Sequence, residues 1–266
     1  MFFDISLLVL LLLSLIVVFL FLLIYCRHYT IKKSNKKDDY IAMLVHDIRS
    51  PLSVIKGSAD ILIHEDSNLS KQQKIDLLKQ VQITSDSLLL LVNDILDASK
   101  MQSGKYEIFK SSTDLNSLVK LVTDSFIVLA KENKVKLEVD LESQIPKVNA
   151  DQEKIKRVLT NLISNALKYT PEDGVIKVST SFLDDLIYVK VSDTGIGIDD
   201  KTKKKLFDKF VQGSKTIKSS YSSSSGLGLS VSKQIINLHN GKIWIEDNNP
   251  KGSVFIFTLP SMLPEF

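Results

Sequence analysis

Cysteine is nearly absent: among 266 residues only Cys26 occurs, so no disulfide can close within the chain and a reducing cytosol is consistent with it. Histidine is scarce too, with four in all, and no His/Cys spacing suggests a zinc site. A strong charge of one sign is also missing. The 34 Lys and Arg stand against 31 Asp and Glu, a net charge of +3, and the lysines are spread without a reading-helix or zinc-finger pattern, which speaks against nucleic acid as a partner. With 24% charged residues, the length fits a membrane segment, a helical hairpin and one globular domain of ordinary size.

What the chain does have is one long apolar run. Ile5 to Cys26 is interrupted mainly by Ser6 and Ser14, and about 22 residues can span a bilayer. A transmembrane helix is expected. A cleaved signal peptide is the alternative, but Asp4 stands where Lys or Arg would be needed and no small-residue cleavage site follows. Arg27, Lys32, Lys33, Lys36 and Lys37 flank the C-terminal end and place that side in the cytoplasm. Residues 1–26 are thus read as a single-pass anchor in the cytoplasmic (inner) membrane and 27–37 as a basic juxtamembrane linker.

Helical periodicity begins next. Ile41, Ile48, Ile55 and Leu62 recur every seven residues, as do Val45, Leu52 and Ala59, the pattern of a bundle seam. His46 lies roughly 100° around from Val45, on the face of Ala42, Arg49, Ser50 and Ser53, so its imidazole is expected to be exposed. Asp47 can hold one ring nitrogen as N–H and leave the other as an attacking lone pair. Arg49 could attract phosphate or be an ordinary solvated arginine. Pro51 removes the hydrogen bond that the Asp47 carbonyl would accept, which predicts a bend or loosened turn beside His46. A second helix from about Ser70 to Ser99 places Ile75, Gln82, Leu89 and Leu96 on one heptad position and Leu78, Ser85, Val92 and Ser99 on another, with Val81, Leu88 and Ile95 broadening the stripe. Such a hairpin cannot bury its seam alone, so a homodimeric four-helix bundle follows.

VHDIRSPLSVIKG around His46 resembles the phosphoacceptor box of bacterial two-component sensor histidine kinases. NLISNALKYT ending at Thr170, DTGIG from Asp193 and GLGL from Gly226 resemble that family's ATP-binding boxes in the expected order. The resemblance covers roughly Asp38 to Pro260. It implies a phosphotransfer hairpin over 38–103 and a catalytic domain over 104–262, the latter a two-layer α/β sandwich of the Bergerat ATP-binding type. It also implies autophosphorylation of His46 from ATP with Mg²⁺, then transfer to an aspartate on a response regulator. On this reading neither an extracellular sensor between two spans nor a receiver domain after Pro260 is expected, so the acceptor is expected on another protein.

The pocket can also be argued from side-chain chemistry. On a helix from about Asp151 to Tyr169, Asn161 and Asn165 lie one turn apart, opposite a buried stripe of Ile155, Val158, Leu159, Leu162, Ile163 and Ala166. A neutral amide oxygen from Asn165 suits a Mg²⁺ held mostly by substrate phosphates. Lys168 supplies a point charge and Tyr169 a ring that could pack on the nucleotide. By resemblance Asn165 is the metal ligand, and Asn161, Lys168 and Tyr169 line the site. Strands Val175–Phe182 and Leu186–Ser192 form a hairpin that turns at Asp184 and Asp185. The second strand leads to Asp193, whose carboxylate can accept from an adenine amine, while Gly195 and Gly197 admit the base. LFDKF, ending at Phe210, resembles the family's phenylalanine box. The Ser- and Lys-rich stretch Gln212–Ser225 reads as a mobile lid, in which Ser222 to Ser225 replace a glycine that the family usually carries. Gly226, Leu227, Gly228 and Leu229 then open a helix to about Asn240 whose first amides can cradle phosphate. Strands near Lys242–Glu246 and Ser253–Leu259 complete the sheet, with Trp244 and His239 as packing and helix-end residues.

Two alternatives accompany this reading. Hydrolytic relatives of the same superfamily place a glutamate where Asn161 stands, and an amide cannot act as a base near neutral pH. A nucleotide-binding membrane scaffold, or a regulator phosphatase, is the other. Phosphatase-active members often carry Thr or Asn four residues after the histidine, where this chain has Ser50.

Overall fold

The computed structural model describes Val45 and residues 47–64, 69–208, 211 and 226–262. The expected membrane helix and basic flank, His46, Phe210 and the serine-rich stretch 212–225 lie outside the described residues.

Helix α1 covers 47–64 and continues helical through Pro51. Arg49, Ser50 and Ser53 are exposed along it, as its helical phase predicts, and Asp47 is buried. Helix α2, Lys71–Gln102, starts at a capping box: Gln73 N–H donates to Ser70 Oγ at 3.2 Å and Ser70 N–H to Gln73 Oε1 at 2.8 Å. Its apolar residues fall on two sides. Leu91 and Ala98 are buried, whereas Leu78, Leu89 and Leu96 are each more than half exposed, as is Leu52 on α1, and Val45 just before α1 is nearly so. An exposed stripe of this size on a helical hairpin is one that water does not cover favourably.

The second unit is a mixed five-stranded sheet with helices on one face. Its strands are β2 (Lys136–Leu141), β4 (Val175–Leu183), β5 (Leu186–Asp193), β6 (Ile243–Asp247) and β7 (Ser253–Pro260), in the order β2-β4-β5-β7-β6. Only the β2/β4 pair is parallel. Helices α3 (Leu115–Ser125), α4 (Ile127–Glu132), α5 (Gln152–Tyr169), α6 (Asp200–Lys203) and α7 (Gly228–Leu238) complete it, with a two-stranded β1 (Ser111–Thr113) and β3 (Val148–Ala150) ladder at the side.

Alternation explains the layering. Ile187, Val189 and Val191 of β5 are buried against the helices while Lys190 between them is exposed and Tyr188 turns to the open face, where it meets Trp244 edge-on at 6.3 Å between ring centres. The opposing layer comes from the buried stripe of α5 (Ile155, Val158, Leu159, Leu162, Ile163, Ala166), which is the stripe its sequence predicts. Full burial of each Val, Leu or Ile in this stripe contributes about 1.5–3 kcal/mol. The strand, α5 and α7 boundaries agree with the sequence expectation to within two residues, except that α2 extends three residues further, to Gln102.

Candidate active site

Asp151 fixes where α5 begins. Its Oδ1 accepts Lys154 N–H at 3.2 Å as the N-cap, Oδ2 accepts Phe109 N–H at 2.9 Å, and its own N–H donates to His239 Nε2 at 2.9 Å. His239 Nδ1 in turn lies 2.7 Å from the Ile235 carbonyl, which fixes that nitrogen as the donor. Burial holds the pKa of His239 below the ordinary histidine range. The end of α7 and the start of α5 are therefore tied together, and His239 is the helix-end residue that the sequence suggests.

Along α5, Arg157, Asn161 and Asn165 recur every fourth residue and share one face. Asn165 Nδ2 approaches Asn161 Oδ1 at 3.5 Å, and Asn161 Nδ2 donates to Ser232 Oγ of α7 at 2.9 Å. Gly228 sits directly against this joint, where a Cβ would collide with Asn161 Oδ1. Asn161 thus joins the two helices that bear the site, and its amide is engaged there. Lys168 and Tyr169 occupy the last turn of α5. The Lys168 Nζ lies 5.5 Å from the Tyr169 ring centre, and desolvation holds its pKa below the usual lysine range.

Asp193 ends β5 and is 4% exposed. One oxygen, Oδ1, accepts both Gly195 N–H at 2.8 Å and Ser253 N–H at 3.2 Å, while Asn248 Nδ2 donates to the Asp193 carbonyl at 2.8 Å. Burial raises the Asp193 pKa above the ordinary carboxylate value, and the two amide bonds oppose that rise. Oδ2 keeps no hydrogen-bond partner among the described residues. A Cβ at Gly195 would meet both Asp193 Oδ1 and the Tyr169 carbonyl, so this turn packs directly onto the end of α5. Gly197 and Gly226 both adopt positive φ, at 75° and 64°.

At the third wall, Leu227 is fully buried as the first flanking residue of α7, and Leu229 packs against the core. These two side chains are structural; what they offer a ligand is backbone. Among the described residues no side chain caps the N-terminus of α7, a kind of helix end suited to an anionic group. The structure brings together Asn161, Asn165, Lys168, Tyr169, Asp193, Gly195, Gly197 and Gly226 to Leu229. A carboxylate for an amine, an amide oxygen for a hard cation, and amides with a lysine for phosphates form a donor set that fits Mg-ATP.

Sequence reasoning missed the supports of this site. Asn248 and Ser253 hold Asp193 in place from the β6–β7 region. More distant in sequence, Arg157 pairs with both Asp94 and Asp97 of α2. Tyr106 O–H donates to Asp97 at 3.4 Å, and Lys154 Nζ lies 4.7 Å from the Tyr106 ring centre. Burial raises the Asp94 pKa, with Arg157 acting against it. Position offered the one signal: Arg157 stands a turn before Asn161 on the same face.

The family description "Histidine kinase-, DNA gyrase B-, and HSP90-like ATPase" matches residues 150–262, and "His Kinase A (phospho-acceptor) domain" matches 36–104. The chain is 32% identical over 231 residues to the sensor histidine kinase WalK of Bacillus subtilis, covering 86% of this chain and 37% of WalK. Across the curated relatives it matches first, it spans 20% to 59% of their length. The solved catalytic domain of the histidine kinase ThkA is 33% identical and superposes with a TM-score of 0.51, covering 58% of this chain and 97% of that one. ThkA in complex with the response regulator protein TrrA gives a TM-score of 0.59 at 27% identity, covering 83% and 60%. Full-length ShkA in complex with AMPPNP gives 0.61 at 26% identity, covering 83% and 45%.

Proposed function

Because this chain belongs to the two-component sensor histidine kinases, we propose that it transfers the γ-phosphoryl group of ATP to His46 and then to an aspartate of a separate response regulator. In the first step a ring nitrogen of His46 forms the N–P bond as the bond from phosphorus to the β,γ-bridging oxygen breaks and ADP leaves. The ring proton is lost, and Asp47, its neighbour in sequence, is the group proposed to orient the imidazole and take that proton.

The observation that carries this reading is the engagement of Asn161. A hydrolytic ATPase needs a base for water at this place. Here a neutral amide is held between Ser232 and Asn165, so ATP is preserved for delivery to the hairpin. Asn165 is the proposed Mg²⁺ ligand; the ion would neutralise phosphate charge. Lys168 and the first amides of α7 would hold the phosphates, and Asp193 the adenine amine.

Homodimerisation through the exposed stripe of α1 and α2 is part of the same proposal, supported by the more than half exposed Leu78, Leu89 and Leu96. So are a single-pass anchor in the cytoplasmic membrane and, at Ser50, a hydroxyl able to orient water for dephosphorylating the regulator. Single-residue variants test the core of it. The full chain in detergent, given γ-labelled ATP and Mg²⁺, should acquire acid-labile, alkali-stable label that His46→Gln and Asn165→Ala both abolish. Nucleotide binding without label would instead favour a scaffold or phosphatase.

A further inference from the structure

We propose that Arg157, gripped by Asp94 and Asp97 of α2, is a positioning residue that fixes the ATP-binding domain beside the nucleophile-bearing part of the hairpin. The inference rests on the kinase reading above and adds to it the device that sets the domain's place. Neither carboxylate belongs to the exposed α2 seam, and neither serves the nucleotide pocket.

The cluster is built, in that its charges are largely withdrawn from water: the side chains of Arg157, Asp94 and Asp97 are 25%, 19% and 14% exposed. Tyr106, in the segment joining hairpin to domain, adds its hydroxyl to Asp97, and Lys154 covers the Tyr106 ring. Met101 and Tyr106 pack against the domain's core, and α2 also packs against α7. Ion pairs this far from water contribute little net stability, because desolvation offsets their attraction, but they select one register sharply. A guanidinium shared by two carboxylates three residues apart accepts one placement of α5 along α2 and rejects a slip of one turn.

That placement bears on the chemistry. Arg157, Asn161 and Asn165 share a face of α5, and Asn161 is bonded to α7, so both walls that would hold the triphosphate are locked to the residue the hairpin grips. The antiparallel hairpin that the sequence predicts would set Asp47 level with about Leu88 and Asp94 roughly 9 Å further along α2. That register would put the grip close to the level at which phosphate must be delivered. In-line transfer is intolerant of misplacement, and an error of about 1 Å can cost roughly 100-fold.

The test uses the full chain in detergent, with initial rates of His46 labelling over a range of ATP concentrations and dissociation constants for a fluorescent ATP analogue. Arg157→Glu should lower kcat by about 10- to 100-fold while KM and the analogue's dissociation constant stay within about threefold. Arg157→Lys, which keeps the charge but loses the fork, should fall between. The swap Asp94→Arg, Asp97→Arg, Arg157→Asp should recover most of the loss, a result that a merely structural role would not give. Arg157→Gln replaces Arg157→Glu should that variant fail to fold, with analogue binding as the check on folding. An unchanged or faster kcat, a loss of nucleotide binding in parallel with kcat, or a swap that recovers nothing overturns the proposal. Label in the unaltered chain with kcat unchanged in Arg157→Glu rejects the grip alone; no label in the unaltered chain rejects the kinase reading and the grip with it.

Discussion

Replacing Asp193 by asparagine should separate the proposed recognition of the nucleotide from folding. The asparagine carbonyl can keep the two bonds that Oδ1 accepts from Gly195 and Ser253, at 2.8 and 3.2 Å. Its amide nitrogen then occupies the place of Oδ2 and presents a donor where adenine also presents one. The loss is a charge-assisted hydrogen bond, about 1.5–3 kcal/mol, which weakens ATP binding by roughly 10- to 150-fold. Guanine carries a carbonyl where adenine carries its amine, so the variant should lose less affinity for GTP and narrow the preference between the two. Stability moves the other way. Burial raises the folded pKa of Asp193 above its unfolded value, so ionising it costs stability as pH rises through the folded pKa. Asparagine removes that cost, and Tm at pH 7 should stay level or rise. Calorimetric titration with each nucleotide, alongside thermal unfolding, reads both effects. An ATP dissociation constant within twofold of the unaltered chain would refute the assignment of Oδ2 to the base, and a large fall in Tm would refute the account of the turn.

Three further outcomes follow from the supports around the site. The lowered pKa of His239 means that the unfolded chain binds the proton more readily, so its stabilising contribution is complete above about pH 6.5 and lost as pH falls below it. Urea unfolding at pH 7.5 and 5.5 should show a smaller acid loss in His239→Gln than in the unaltered chain, and equal losses would count against the buried neutral imidazole. Asp151→Ala removes the α5 cap and the partner of Phe109 N–H, and should cost about 2 kcal/mol in the same experiment; a cost below about 0.5 kcal/mol would contradict the junction described. Gly228→Ala drives a methyl into Asn161 Oδ1 and should weaken ATP binding at least tenfold while Lys190→Ala, at an exposed position of β5, changes it little. Similar affinities for the two variants by fluorescence titration would show that the α5–α7 joint tolerates separation.

Where the chain repeats a local rule, its structure was legible in advance. The stripe of α5, the alternation of β4 and β5 and the turn at Asp184 and Asp185 all follow from periods of 3.6 and 2 and from residues that tolerate positive φ. Residues 104–150 carried no comparable signal. Strands β1 and β3 are three residues each and pair Ser111 with Ala150 across a long separation, while α4 is six residues long. For the site, the residue types that would touch a nucleotide were legible because motif spacing preserves them. Their supports were not, since Asn161 meets Ser232 at a separation of 71 residues and Arg157 meets Asp97 at 60. Tertiary packing creates those pairs, and helical phase hinted only at which face they occupy.

Helix α5 also acts as a ruler, and rulers tolerate no added marks. Arg157, Asn161 and Asn165 would perform the three tasks proposed for them at intervals of about 6 Å along one line. A single residue inserted between Arg157 and Asn165 would turn everything beyond it by about 100° and move it about 1.5 Å, taking the amide proposed to serve the triphosphate to another side of the helix. The β4–β5 turn at Asp184 and Asp185 carries no site residue; both residues are exposed, and Ser261 N–H donates to the Asp185 carbonyl at 2.9 Å. Natural length variation in this domain should therefore gather at such turns and avoid the 17 residues from Arg157 back to Asp151 and on to Leu167.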